Sequence, residues 1–190
     1  MDIRPDSKDW TWVLSRPCAQ CGFDASQTPA AGVAGLLRSA AGSWQAVLAR
    51  PEVGRRPRGD VWSALEYGCH VRDVCVLFDQ RLRLMLDSTD PTFANWDQDR
   101  TAIEQRYAEQ DPALVSEQLA TAAAVLADRF AAVDGAQWRR TGRRSDGAEF
   151  TVESFARYFV HDVVHHLHDV GAEPTPDSIA LPAAADTGST

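Results

Sequence analysis

The chain has 190 residues, of which 44% are hydrophobic and 24% charged, a composition typical of one globular domain that buries its own core. Its net charge of -8 disfavours nucleic acid as a partner, because phosphate backbones repel an acidic surface. The sequence offers no apolar run of about 20 residues for a membrane span and begins with polar residues. We therefore expect a cytoplasmic protein without a membrane partner.

The predicted elements begin with an irregular segment over residues 1–28, which contains the sequence PCAQC and is expected to pack on the rest of the chain. Apolar residues then recur with a helical period from about Pro29 until Pro51 ends the helix. A second, long helix is predicted over about Val61–Leu86, with Asp60 as its N-cap.

A long crossover over residues 87–111 follows, with a short helical piece predicted around Ile103–Tyr107. The third long helix is expected over about Pro112–Val133, where alanine and leucine dominate. Residues 135–150 are polar and rich in arginine and predict a loop, since no alternation of apolar and polar residues indicates a strand.

The fourth helix is predicted from Thr151 to about Val170, with Gly171 as its C-cap. Thr151 is expected to act as N-cap without a full capping box, because serine replaces glutamate at the reciprocal position. The tail, residues 172–190, has the composition of a disordered segment. The fold class predicted for residues 29–171 is therefore all-α, a four-helix bundle with one long crossover between its second and third helices.

Four of the five histidines lie within eight residues of the fourth helix, and the fifth, His70, lies midway along the second. His161 and His165 are one helical turn apart, so two imidazoles can reach one ion, and a bundle can bring His70 to them. Three imidazoles with one open position are typical of a catalytic zinc, although nickel or iron also accepts nitrogen ligands. Asp162 and Asp169 could orient an imidazole or be surface charges.

Two features of the fourth helix leave the assignment open. Its apolar stripe lies opposite His161 and His165, so this histidine face is either exposed to solvent or buried while the stripe meets a second subunit. The second arrangement predicts a homodimer. His168 lies near the same face and is a rival ligand, whereas His166 is expected to point away.

The cysteines include the pair Cys18-Ala-Gln-Cys21, followed by glycine, which is similar to half of a zinc knuckle or to a redox dithiol. Cys69 and Cys75 do not supply a second close pair, because they diverge around the second helix. Cys18 and Cys21 are therefore predicted to form a reversible disulfide, to contribute an extra metal contact, or to remain buried thiols.

Several segments resemble the DinB/YfiT-like family of metal-binding four-helix bundles, in particular its actinobacterial branch. The specific ones are WSALEYGCHVRD at 62–73 and HDVVHH at 161–166, supported by FDAS, NWDQD and RSDGAEFT. The resemblance covers about residues 20–170. It implies metal ligands at His70, His161 and His165. The three residues after His165 are His-Leu-His in this chain, where many members have Arg-Gly-Gln.

Members of that family with known activity are largely metal-dependent S-transferases of low-molecular-weight thiols, and related bundles isomerise maleylpyruvate with mycothiol. The resemblance therefore implies a divalent metal, zinc in first place, a thiol cosubstrate such as mycothiol, and a small electrophilic substrate. In this hypothesis Arg143 and Arg144 bind an anionic group, and Trp96 and Tyr107 form walls of the pocket. One alternative is a hydrolase that activates water at the same open position with Glu66 as base; another is a non-catalytic bundle with a vestigial metal site.

Overall fold

The frame of the protein is a bundle of four long helices, seen in a computed structural model that describes residues 9–174. The helices are α1 (Val33–Leu48), α2 (Ala64–Asp87), the short α3 (Gln98–Glu104), α4 (Pro112–Ala131) and α5 (Val152–Asp169). The predicted four-helix bundle with a long crossover is confirmed. Of the predicted disordered tail, residues 175–190 lie outside the described residues.

The helices pack so that α4 and α5 each contact both α1 and α2. The two helices that are adjacent in the chain, α1 and α2, meet closely at Gly68, where a Cβ atom would lie 2.8 Å from a methyl carbon of Leu48. Aromatic and aliphatic side chains from all four helices fill the core, among them Trp44, Phe78, Leu82, Leu119, Leu126, Phe130, Phe155 and Phe159. Within residues 9–174, no helix has the length and apolarity that crossing a membrane requires.

The start of α2 differs from the prediction, because Ser63 and not Asp60 is its N-cap. The Ser63 hydroxyl accepts a hydrogen bond from the Glu66 backbone N–H, and the Glu66 carboxylate accepts from the Ser63 backbone N–H at 2.8 Å. This is a full capping box, and its sequence signature, Ser-x-x-Glu, was present three residues after Asp60. The guanidinium of Arg56 also pairs with the Glu66 carboxylate, which is buried.

A small three-stranded sheet accompanies the helical bundle, with two strands in the predicted loop between α4 and α5 and one in the crossover. Its strands are β1 (Thr92–Phe93), β2 (Thr141–Arg144) and β3 (Glu149–Thr151), with β2 parallel to β1 and antiparallel to β3. Strands of two to four residues are too short to show alternation in a sequence. Because β3 leads directly into α5, the sheet sets the position from which α5 enters the bundle.

Both ends of α5 are closed by local hydrogen bonds. Thr151 is the predicted N-cap, but a full capping box does form with Ser154, because the serine hydroxyl takes the role usually played by glutamate. At the other end Gly171 has a φ of +64°, and its N–H and that of Ala172 donate to the carbonyls of the last turn. Gly171 therefore ends the helix as predicted.

The remaining boundaries shift by a few residues. A short 3-10 turn at Ala30–Gly32 precedes α1, so the α-helix begins later than Pro29. The crossover helix is α3, capped by Asp97, and not Ile103–Tyr107, since a left-handed residue, Arg106, interrupts the chain there.

Residues 9–32 run along α5 in short 3-10 turns, at Thr11–Leu14 and Ala25–Gln27 before the turn that precedes α1. This segment covers the histidine face of α5, while the apolar stripe of α5 is buried in the bundle, with Phe159 and Val163 almost fully inaccessible. Both faces are thus buried within one chain, so the reason for expecting a second subunit is removed; the homodimer itself stays a prediction.

The Arg56–Glu66 pair should make a measurable contribution to stability. Burial opposes ionisation of Glu66, but hydrogen bonds from Arg56 and Ser63 outweigh it, so the pKa of this carboxyl lies below its ordinary value of 4.5. Glu66→Gln should lower the free energy of unfolding by about 1.5–3 kcal/mol at pH 7, since charged hydrogen bonds are lost. The difference should shrink as the pH falls below 4.5 and the wild-type carboxylate is protonated.

Denaturant unfolding, measured between pH 3 and 7 in steps of about half a pH unit, would determine this effect across the range in which carboxyl groups titrate. Glu104→Gln is the matched control, because Glu104 pairs with Arg100 on the exposed surface and its loss should change stability little. An equal loss in both variants, or one that does not vary with pH, would contradict the assignment.

Candidate metal centre

The polar face of α5 carries two pairs of possible metal ligands, offset from each other by one residue. His161 and His165 form one pair and Asp162 and His166 the other, and each pair is separated by one helical turn. One residue corresponds to about 100° of rotation, so the two pairs face different neighbours. In the described part of the chain, two groups of donor atoms result, each with all its atoms within 4.8 Å of one another.

The first, called the histidine–aspartate group, consists of His70, Asp162 and His166. The Asp162 Oδ1 atom lies 3.4 Å from His70 Nε2 and 3.8 Å from His166 Nε2. The rings of His70 and His166 meet edge to face with centroids 4.8 Å apart. Two imidazoles and one carboxylate therefore converge from α2 and α5.

Their surroundings fit a bound cation. Both ring nitrogens of His70 and the Oδ1 atom of Asp162 are buried and have no hydrogen-bond partner among residues 9–174. Burial disfavours the charged form of Asp162, but the neighbouring His166 and His70 favour it more, so the pKa of this carboxyl is held below its ordinary value. Buried polar atoms left in this state are costly, and a metal ion would satisfy the Asp162 oxygen and one ring nitrogen of His70.

A further carboxylate orients His166. Asp169 Oδ2 lies 2.8 Å from His166 Nδ1, so His166 donates from Nδ1 and directs Nε2 towards Asp162. A carboxylate on the outer nitrogen of a metal-binding imidazole is a common arrangement, because it fixes the ring and its tautomer.

The second, called the cysteine–histidine group, consists of Cys18, Cys21, His161 and His165. Cys18 Sγ lies 3.6 Å from His165 Nδ1. Burial lowers the pKa of His161 to about 4, so this imidazole is neutral near pH 7, the form that binds metals. Burial also raises the pKa of Cys21 to about 11, although the Phe23 backbone N–H favours its thiolate.

The structure thus divides the histidines differently from the sequence prediction. His161 and His165 lie with the cysteines, and His70 is grouped with Asp162 and His166 instead. His166, expected to point away, packs against His70, because α5 turns its Asp162–His166 edge towards α2. The rival ligand His168 is exposed and belongs to neither group.

A cavity of about 1080 Å³ opens beside α5, with Asp162 and His166 in its lining together with His161 and His165, whereas His70 lies behind the lining. Trp96 and Arg144 both line it, although Arg144 is paired with Asp146. Tyr107 does not, because it is buried and its hydroxyl donates to Asp73. Arg143 does not either, since it is paired with Asp90 and Glu149.

Glu66, the predicted base of the hydrolase alternative, is also outside the cavity lining. Its carboxylate is occupied by the capping box of α2 and by Arg56. An anion held by an arginine and two backbone or hydroxyl donors is a poor proton acceptor, so these contacts do not favour the predicted role of Glu66 as base.

Comparison with known proteins assigns the family. The model of the DinB superfamily matches residues 38–170, and the chain belongs to this superfamily. The structure is similar to that of YfiT from Bacillus subtilis, described as a probable metal-dependent hydrolase with an unusual four-helix bundle topology. The two share 14% sequence identity with a TM-score of 0.65, over 88% of this chain and 89% of YfiT. A search of curated protein sequences finds no match.

The similarity to YfiT establishes the shared bundle fold. Family membership and the donor groups together support a protein that binds a divalent metal.

The role of Asp169 can be tested by Asp169→Asn. Loss of the charge that orients His166 should weaken divalent-ion binding at the histidine–aspartate group by about 10–100-fold. Competition for Co²⁺ with a chromophoric chelator measures this affinity. Ions at the histidine–aspartate group are recognised by the absence of sulfur-to-cobalt absorption, because this group has no cysteine. Asp146→Asn is the control, since Asp146 also lines the cavity but pairs with Arg144. Equal affinities in the two variants would exclude the orienting role.

Proposed function

We propose that the protein is a metal-dependent transferase that joins a neutral, hydroxyl-rich thiol, of which mycothiol is an example, to a small electrophile. The observation that carries the proposal is the set of buried, unpartnered donors on His70 and Asp162 beside a large cavity. A divalent ion held by the histidine–aspartate group would supply Lewis-acid activation that favours the thiolate form of the cosubstrate near neutral pH.

The donor set itself suits catalysis. Three protein ligands leave a coordination position open, which distinguishes catalytic from closed structural zinc sites. The single carboxylate of Asp162 cancels only part of a divalent charge, so the centre keeps a net positive charge. Nickel and iron accept the same donors, and zinc is our first choice because it needs no redox partner.

The charge of the cavity argues for a neutral cosubstrate. Eight carboxylates and one arginine line it, and that arginine, Arg144, is paired with Asp146. The predicted role of Arg143 and Arg144 in binding an anion therefore has no free cation to support it within this lining. The acidic residues are Asp9, Asp60, Asp97, Asp99, Asp146, Glu149, Asp162 and Asp169. Anionic thiols such as glutathione are repelled here, whereas sugar hydroxyls can donate to carboxylates.

Aromatic side chains surround the two imidazoles of the histidine–aspartate group. Trp62 and Trp96 both lie 5.4 Å from the His70 ring, and Trp96 stacks on it nearly parallel. Tyr67 lies 4.9 Å from His166. These rings hold the two imidazoles in place, and the parts of them that line the cavity offer apolar surface to a sugar or a hydrophobic electrophile. The cavity volume is at the upper end of the range for one ligand, which leaves room for two.

The bond changes follow from this placement. In a substitution, the thiol sulfur forms a bond to the electrophilic carbon, the leaving group departs with its electron pair, and the thiol proton passes to solvent. In an addition to an activated double bond, the proton returns to the adjacent carbon. The residues of the chain position the two reactants and exclude competing water.

Hydrolysis is a second candidate, because two histidines and one carboxylate are also the zinc ligands of known peptidases. The same open position would then activate water. The two functions differ in a simple way: hydrolysis proceeds without thiol, and transfer requires it.

The proposal predicts thiol preference that depends on salt. With metal-loaded protein and a fluorogenic alkylating electrophile, kcat/KM for mycothiol should exceed that for glutathione by about 10-fold or more at low salt. The ratio should fall as salt screens the carboxylates. Asp162→Asn should reduce kcat/KM by about 100-fold or more, through loss of a metal ligand.

Asp128→Asn is the matched control, because this surface carboxylate pairs with Arg38 outside the cavity. A salt-independent ratio near one would refute the electrostatic selection of a neutral thiol. Turnover of ester or amide substrates without thiol, lost in Asp162→Asn, would instead establish the hydrolase. Metal binding with neither activity across the panel would favour the non-catalytic alternative.

A further inference from the structure

The cysteine–histidine group has no role in the proposed reaction, yet it gathers four potential metal ligands from chain segments far apart. Cys18 and Cys21 belong to the segment before α1, and the two histidines belong to the last helix. The contact between Cys18 and His165 joins residues separated by 147 positions.

We propose that the cysteine–histidine group binds a zinc ion in a closed, tetrahedral structural site, separate from the histidine–aspartate group, that fixes the N-terminal segment onto α5. The site does not depend on the proposed transferase activity. Two thiolates and two imidazoles form one of the common ligand sets of structural zinc.

The distances suit such an ion. Zinc bonds of about 2.3 Å to sulfur and 2.0–2.1 Å to nitrogen, in a tetrahedron, place neighbouring ligand atoms about 3.3–3.8 Å apart. The four donor atoms all lie within 4.8 Å of one another, and Cys18 Sγ is already 3.6 Å from His165 Nδ1. Small side-chain rotations therefore complete the site without moving the backbone.

The turn between the cysteines presents both sulfurs to the same helix. The Gly22 N–H donates to the Cys18 carbonyl at 2.9 Å, and the Cys18 N–H donates to the Phe23 carbonyl at 2.8 Å. Gly22 has a φ of +73°, which favours glycine and explains the glycine after the second cysteine. This compact loop brings two thiols to one side, and one turn of α5 supplies the two imidazoles opposite.

Aromatic side chains pack against the imidazoles of this group, and Cys21 is half-buried. Trp10 packs against both imidazoles, with ring centroids 5.6 Å from His161 and 5.0 Å from His165, and Phe23 packs on His161 at 5.4 Å. Cys18 is 1% exposed, and the two histidines are 3% and 6% exposed. His161 and His165 also line the cavity, but four protein ligands would leave no open position on the ion, so the site is structural.

A disulfide between Cys18 and Cys21 explains less of the structure. Both cysteines are free thiols, and His161 Nε2 is buried without a hydrogen-bond partner in the described chain. A disulfide would leave that nitrogen unsatisfied, whereas one ion satisfies all four donors. Trp10 also lines the cavity, so the site would hold one wall of the cavity in place.

Cobalt substitution of the intact, reduced protein tests the proposal directly. Titration of metal-free protein with Co²⁺ should produce sulfur-to-cobalt absorption in the near ultraviolet and intense visible bands of tetrahedral cobalt, reaching a plateau after one equivalent at this site. Zn²⁺ should then displace the cobalt and abolish both. This measurement needs no variant, so a folding defect cannot obscure it.

Variants then locate the ion. Cys18→Ser/Cys21→Ser should lose one equivalent of bound metal and all the near-ultraviolet absorption, while Asp162→Asn should retain that absorption. Cys69→Ala is the cysteine control, because Cys69 is buried on α2 outside both donor groups, and it should behave as wild type. Absence of sulfur-to-cobalt absorption in wild type, its retention in the double variant, or a Cys18–Cys21 disulfide in reduced protein would overturn the proposal.

Discussion

The helical rotation of α5 is the constraint on which the candidate site depends. Two donor pairs share one helix, each pair one turn long, and the single residue between them rotates one pair away from the other by about 100°. Asp162 and His166 therefore meet α2, while His161 and His165 meet the N-terminal segment, and all four line the cavity. One short sequence, HDVVHH, thus presents ligands in two directions, and the rest of the chain is arranged to supply a partner in each.

The bundle sets the positions from which these partners come. The capping box at Ser63 and the Arg56–Glu66 pair define where α2 begins, which places His70 two turns into the helix and opposite α5. Strand β3 and the cap at Thr151 define where α5 begins. Because both starting points are fixed by hydrogen bonds, the meeting of His70 with Asp162 and His166 follows from packing. Burying these polar groups without hydrogen-bond partners costs free energy, and this cost is the reason for assigning a candidate metal site here.

Much of the bundle followed from the sequence because helical period and turn residues are local signals. The ends of α4 and α5 were predicted within two residues, and the helices predicted to carry the metal ligands do carry the candidate donor groups. The small sheet was missed since its strands are too short for a period to appear. The structure places the predicted ligands His70, His161 and His165 in two donor groups, because the rotation of a helix about its own axis depends on tertiary packing. The apolar stripe indicated which face is inside, but it did not show that the chain's own N-terminal segment covers the opposite face.

Asp169 links the two donor groups and gives the arrangement a common electrostatic basis. Its Oδ2 atom accepts from His166, and its Oδ1 atom lies 3.9 Å from His165 Nε2, so one carboxylate stands behind an imidazole of each group. The cysteine–histidine group with zinc would be neutral, because two thiolates balance the charge of the ion, whereas the histidine–aspartate group would retain a positive charge. In the proposed function the neutral group would hold the chain, and the charged group, beside the acidic cavity, would activate a neutral nucleophile. A single helix can therefore combine a structural and a reactive centre without competition between them, since their ligands differ in both number and charge.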